Sequence, residues 1–146
     1  MAQKNHQNSE DLVPEYEQET DLSEYSPIAQ EIIRNRENLG SISEPDLVGA
    51  FRGCCGDSIQ IELCLDGDII KRARFTTDGC SATVAVGGMI TRLITDKKLT
   101  QAGKVSAQEI IDALEGLPKG HQHCADLAVK ALQKTLQAKN EPESSI

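Results

Sequence analysis

The stretch from Ser58 to Thr77 constrains this chain more than any other. Apolar and polar residues alternate, with Ile59, Ile61, Leu63 and Leu65 on one face and Ser58, Gln60, Glu62 and Cys64 on the other. A period of two is that of a half-buried strand. Asp66-Gly67 is a strong hairpin signal, and Ile69 to Thr77 supplies a return strand with Ala73 and Phe75 in phase. The two strands are expected to pair antiparallel, with Cys64 on the polar face, away from the core.

Around this hairpin the spacing predicts helices. Ser26-Pro27 opens one, Ser as cap and Pro at the first helical position, with Ile28, Ile32 and Ile33 on one face and a stop near Asn38 to Gly40, where Gly supplies a left-handed end. Leu47 to Phe51 reads as a short strand, weakened by Gly49. After Asp78-Gly79, residues Ala82, Val86, Met89, Ile90, Leu93 and Ile94 have helical spacing, and Gly87-Gly88 within them marks close packing against the sheet. Ser106 to Glu109 fits a capping box, with Ile110, Ile111 and Leu114 buried and Gly116 as the stop. A last helix carries Leu127, Ala128, Ala131, Leu132 and Thr135 on one face.

A length of 146 residues with 38% hydrophobic character suits one domain. Of the net charge of -8, residues 1–26 hold seven acids against Lys4, so the remainder is near neutral. The expected organisation is a disordered acidic arm over 1–25, a folded domain over 26–138 and a tail over 139–146. No basic footprint points to nucleic acid, and no apolar run reaches the roughly 18 residues of a membrane span. The acidic N-terminus has neither a signal region nor transit-peptide character, so a cytoplasmic setting is expected.

Five cysteines without a secretory signal make a disulfide framework improbable. Three occupy element ends. Cys55 lies in the turn Gly53-Cys54-Cys55-Gly56-Asp57 between two strands, while Cys80 and Cys124 each open a helix, with His123 before the second. A thiol at a helix N-terminus is pushed toward thiolate by the macrodipole. Thiolates suit zinc and iron–sulfur iron, and Asp57 or His123 can supply a fourth position. Cys55, Cys80 and Cys124 are 25 and 44 positions apart, so any shared site is assembled by the fold.

Cys55-Gly56-Asp57 after a strand, the hairpin ending Ala73-Arg74-Phe75-Thr76-Thr77-Asp78-Gly79-Cys80, and His123-Cys124 opening the last helix together resemble the iron–sulfur cluster assembly scaffolds of the IscU and NifU N-terminal-domain type, over about Glu24 to Ala138. The resemblance implies an α+β domain, a small three-stranded antiparallel β-sheet with about four to five α-helices packed on it. It implies a non-enzymatic scaffold that takes sulfur from a cysteine desulfurase and iron from an iron donor. Such a scaffold builds a transient 2Fe-2S cluster and passes it to apo iron–sulfur acceptor proteins. Carried over, Cys55, Cys80 and Cys124 are cluster ligands, Asp57 and His123 alternating or auxiliary ligands, and Cys124 the persulfide acceptor. Cys54 and Cys64 fall outside the pattern and read as bystanders.

Leu117-Pro118-Lys119 preserves only the start of the segment that Isc-type scaffolds present to a DnaK-type chaperone, and this loop is closer to the Nif-type branch. No C-x-x-C segment follows residue 138, as expected of a stand-alone unit. Two other readings use the same residues. One is a zinc-binding persulfide acceptor or carrier, since three thiolates with one Asp or His hold Zn²⁺ as well as iron. The other is a thiol enzyme with Cys124 as nucleophile and His123 as base, which adjacent side chains pointing apart at a helix start would disfavour.

Overall fold

The computed structural model describes residues 21–54 and 56–139. Cys55, most of the expected acidic arm and all but the first residue of the expected tail lie outside the described residues. The elements run α1 Pro27–Asn35, β1 Leu47–Arg52, β2 Ser58–Asp66, β3 Ile69–Thr77, α2 Ser81–Ile94, α3 Leu99–Ala102, α4 Ala107–Ala113 and α5 His123–Gln137. The strands form one antiparallel sheet in the order β1-β2-β3, which is the α+β architecture expected.

The alternation in β2 decides which face is covered. Ile59, Ile61 and Leu63 are wholly buried, and across the pleat Ile61 meets Phe75 while Leu63 meets Ala73. Leu65 departs from its expected place. A register shift between Cys64 and Leu65 breaks the phase, and Leu65 is only half-buried. Helices α2 and α5 pack against the covered face, α2 on β3 and α5 on β1 and β2.

Both contacts rest on glycines. A Cβ at Gly87 would run into the Phe75 ring, so the α2 backbone lies directly on the sheet. Gly88 meets something else, Ile32 of α1, so only half of the Gly87-Gly88 pair packs against the sheet. Every residue from Ser81 to Thr91 is buried, making α2 the central rod of the molecule. Gly49, which weakened β1 as a sequence signal, has a packing reason, because a Cβ there would overlap the Thr135 backbone of α5.

Ser26 caps α1 as expected, its hydroxyl oxygen accepting from Ala29 N–H at 3.1 Å while it donates to the Leu114 carbonyl at 2.5 Å. The helix ends earlier than expected. Arg36, at φ 51°, takes the left-handed position and its N–H closes onto Ile32 and Ile33. Packing extends N-terminally beyond Ser26, since Tyr25 is buried and Leu22 lies against the core.

The opposite sheet face is less open than the alternation suggests. Leu39 pairs beside Phe75 at the β3 edge, yet β1 begins at Leu47 on the other edge, so the intervening segment crosses the sheet. Along it, Ile42 N–H donates to the Glu62 carboxylate at 2.7 Å, Gln60 donates to the other oxygen at 3.0 Å, and Asp46 accepts from Leu65 N–H at 2.7 Å. Glu62, expected on a solvated face, is therefore buried at 6% exposure with both oxygens satisfied. Cys64 on the same face is half-buried.

The Gly49–Thr135 approach gives a test. Gly49→Val is expected to cost about 1–3 kcal/mol through overpacking, read from the urea midpoint, whereas Val48→Ala at the exposed neighbour should stay within about 0.5 kcal/mol.

Candidate metal and sulfur site

Two helix starts and one strand turn meet at a single end of the molecule. Cys80 is the N-cap of α2, with extended backbone at φ -88° and an exposed side chain. Its sulfur makes no close capping bond, but the amides of Ala82 and Thr83 face it. Cys124, the second residue of α5, is buried at 1% exposure. The Thr83 hydroxyl stands between the thiols, 3.9 Å from Cys80 Sγ and donating to Cys124 Sγ at 3.8 Å.

Among the described residues, Cys80, His121 and Cys124 offer donor atoms that all lie within 4.8 Å of one another. Ligand atoms on one tetrahedral zinc with Zn–S near 2.3 Å are separated by about 3.8 Å. The set therefore needs only a small contraction to hold a cation. His123 takes another position: its Nε2 is 3.9 Å from Cys124 Sγ. The two side chains thus come closer than adjacency at a helix start suggests.

His121 is not among the candidate ligands that the sequence singles out. It belongs to the turn that becomes α5, with Cys124 N–H donating to its carbonyl at 3.1 Å, and this winding brings residues three apart onto one side. The signal available in the sequence is that spacing of three between His121 and Cys124, against the direct adjacency of His123.

Asp57 is half-buried, and its Oδ2 lies 3.0 Å from where a Cβ on Gly79 would sit; the same Cβ would come within 2.5 Å of the Thr83 hydroxyl. Gly79, expected as a turn residue, is thus the gap that lets carboxylate and hydroxyl approach the thiols. The turn carrying Asp57 is pinned by Gly53 N–H on the Asp57 carbonyl at 2.8 Å and by Gly56 at φ 95°. Asp78 ties β3 to β2 by accepting from Ser58 N–H at 2.8 Å, which holds its carboxyl below the usual range. Cys54 is exposed and, with Asp57 and His123, lines a cavity of about 360 Å³ reaching Phe51 and Lys130. On the other side Tyr25, Ser81 and Pro118 wall a second cavity with Cys80 and His121. Leu117 is half-buried and Pro118 buried, leaving Lys119 as the exposed part of the partly matching chaperone segment.

The electrostatics divide one proton between two sulfurs. Cys80 is held down at about 4, first by the hydrogen bond from Cys124 and then by the amides of Thr83 and Ala82. Cys124 is pushed up, first by that same bond and then by burial, with Asp57 adding repulsion. Without a cation the pair is a thiolate at Cys80 and a thiol at Cys124. Burial and the two sulfurs also push the Tyr25 phenol up to about 12.

A three-stranded antiparallel sheet with helices on it, presenting sulfur and imidazole donors where separate elements begin, defines a small α+β domain with a candidate metal and sulfur site. The chain matches the NifU-like N-terminal domain family over residues 24–143 and belongs to it. It is 33% identical over 113 residues to the iron-sulfur cluster assembly scaffold protein IscU 1 of Archaeoglobus fulgidus, covering 77% of this chain and 74% of that one. It is 32% identical over 128 residues to the zinc-dependent sulfurtransferase SufU of Bacillus subtilis, covering 75% and 87%. The crystal structure of the N-terminal part of a NifU-like protein from Brucella abortus superposes with a TM-score of 0.60 at 15% identity, covering 80% of this chain and 95% of that one. Among the described residues no helix is long and apolar enough to cross a membrane.

The uneven proton sharing predicts a reactivity order. In metal-free protein at about pH 5.5, where an ordinary thiol with pKa near 8.5 is protonated, iodoacetamide should modify Cys80 and spare Cys124, as located by peptide mass spectrometry. The Cys80 rate should fall only as pH drops toward about 4.

Proposed function

We propose that this chain is a scaffold for iron–sulfur cluster assembly, and the observation that carries the reading is the convergence of Cys80, His121 and Cys124 beside Asp57 at one exposed end of the fold. The cluster is cargo. Cys55, Cys80 and Cys124 would bind it through sulfur, with Asp57 and the imidazole of His121 or His123 as the harder, more easily exchanged positions. Family membership supports the reading, as does a relative whose name is that of a scaffold.

The partners follow from the chemistry. Sulfur would come from the persulfide of a cysteine desulfurase. The Cys124 sulfur attacks the outer sulfur, a new S–S bond forms on Cys124, and the desulfurase leaves as its thiolate. Iron would come from an iron donor, each persulfide sulfur would be reduced to sulfide by two electrons from an external electron donor, and the finished 2Fe-2S cluster would leave to apo-proteins whose thiols displace the oxygen or imidazole ligand first. Cys124 starts as a buried thiol, so this step requires the 117–122 loop to open and the proton to leave. A cation between the sulfurs would drive that proton off, because thiolate is the ligand. On this reading the protein is a carrier and turns nothing over on its own account.

A second reading has its own support. Two sulfurs and one imidazole converge with the Asp57 carboxylate nearby, the donor types of a four-coordinate Zn²⁺ site, and one relative is named a zinc-dependent sulfurtransferase. Under it zinc resides in the site and Cys124 accepts persulfide with no cluster formed. Anaerobic reconstitution with iron and sulfide, alongside metal analysis of fresh protein, separates the two. Visible charge-transfer bands lost on Cys80→Ser or Cys124→Ser support the scaffold; colourless protein retaining one zinc supports the carrier.

Asp57 is the weak position of the proposed cluster site. Asp57→Ala should lengthen the half-life of the visible bands in air and slow transfer to an apo-ferredoxin severalfold. Faster decay in the variant would mean that the carboxylate only braces its turn.

A further inference from the structure

We infer that a one-residue gap in the outer edge of β3 is the docking site for an acidic, extended segment of this chain, residues 10–15. Two segments already pair with that edge. Phe75 N–H donates to Asn38 O at 3.0 Å and its carbonyl accepts from Gly40 N–H at 2.7 Å. Ile70 N–H donates to Lys97 O at 2.9 Å and its carbonyl accepts from Asp96 N–H at 2.6 Å. Ala73 lies between them. In the β2–β3 register Leu63–Ala73 is the same kind of pair as Ile61–Phe75, so the peptide groups of Ala73 point outward as those of Phe75 do. The register shift at Cys64/Leu65 gives the next outward position to Ile70, and among the described residues no segment pairs with Ala73.

The gap opens into a largely polar cavity of about 380 Å³ lined by Asn38, Lys71, Arg72, Ala73, Arg74 and Thr95. Lys71 pairs with Asp96 at 3.6 Å, but among the described residues Arg72 has no carboxylate partner. Arg74 spends one nitrogen on the Leu39 carbonyl at 2.8 Å, and its buried Nε has no partner. This is a cationic notch with a free backbone donor and acceptor on a chain of net charge -8. Such a combination fits an extended segment carrying carboxylates.

Charge and reach select the occupant. Residues 1–20 hold Glu10, Asp11, Glu15, Glu17 and Glu19 against Lys4. They join the fold at Asp21, which lines the Cys80 cavity at the start of α2, whereas the notch adjoins Thr95 at its end. Helix α2 has 14 residues and spans about 21 Å. At about 3.3–3.6 Å per extended residue, Asp11 and Glu10 cover that distance with residues to spare and Glu15 reaches it only when fully extended, while Glu17 and Glu19 fall short. In Glu10-Asp11-Leu12-Val13-Pro14-Glu15 the proline biases Val13 toward extended backbone. The tether raises the local concentration of the segment to the millimolar range.

The test uses the full chain, ¹⁵N-labelled, at about 50 and 500 mM NaCl, which shortens electrostatic reach several-fold. At low salt, residues 10–15 should show restrained picosecond–nanosecond motion in the heteronuclear NOE, and the Ala73 amide should be shifted from its high-salt position. Both effects should vanish in Arg72→Glu and in Glu10→Gln/Asp11→Asn/Glu15→Gln, the second of which leaves the described fold untouched. Coil-like values for residues 10–15 at both salts would overturn the proposal, as would effects that survive in the arm variant. Effects that scale with protein concentration between about 20 and 500 μM would assign the notch to a second copy's segment and overturn it equally.

Discussion

The whole arrangement depends on how closely two helix backbones lie on the sheet. Gly87 sets α2 against the Phe75 ring and Gly49 sets α5 against β1, each leaving no room for a single carbon more. Two helices so close to one narrow sheet are held with their starting ends side by side. The nearness of the Cys80 and Cys124 sulfurs, and the place of the Thr83 hydroxyl between them, follow from that contact. Interiors packed at crystal density transmit small displacements, so a carbon added far away at Gly87 would be felt at the sulfurs.

The second determinant is the inequality of the two sulfurs. Cys80 faces solvent and the amides that open α2, while Cys124 is enclosed beside Asp57 and carries the proton. Two identical side chains thus begin with different chemistry, one exposed and inclined to thiolate, the other enclosed and inclined to keep its proton. Tyr25, buried alongside and made harder to ionise by the same sulfurs, keeps the surroundings from adding further negative charge.

Much of this was legible from spacing. The alternation through Ile59, Ile61 and Leu63, the Asp66-Gly67 turn and the buried stripe from Leu127 to Thr135 appear in the structure as read, because period and turn chemistry are local properties. What was not legible depends on chain crossing in space. Glu62 is polar by type and phase, yet the segment that carries Ile42 over the sheet buries it, and no window of sequence around Glu62 contains that segment. Gly79 looked like a turn residue because Asp-Gly is a turn dipeptide, whereas its role is to leave space for Asp57 and Thr83, brought there by β2 and α2. His121 was obscured by a nearer histidine, although the helical turn makes the residue three before Cys124 the better placed one.

The donor set is drawn from elements far apart along the chain, and this has a thermodynamic consequence. Whatever bridges Cys80 and Cys124 joins two helices separated by 44 positions of sequence, and so acts as a reversible cross-link that the unfolded chain lacks. Binding and folding are then one linked equilibrium. An occupant present at a hundred times its dissociation constant adds about 2.7 kcal/mol to the folded state, a large share of the 5–15 kcal/mol on which a typical domain stands. Loaded and empty forms of the protein therefore differ in rigidity as well as in content, and giving up the occupant loosens the same two helix ends that had held it.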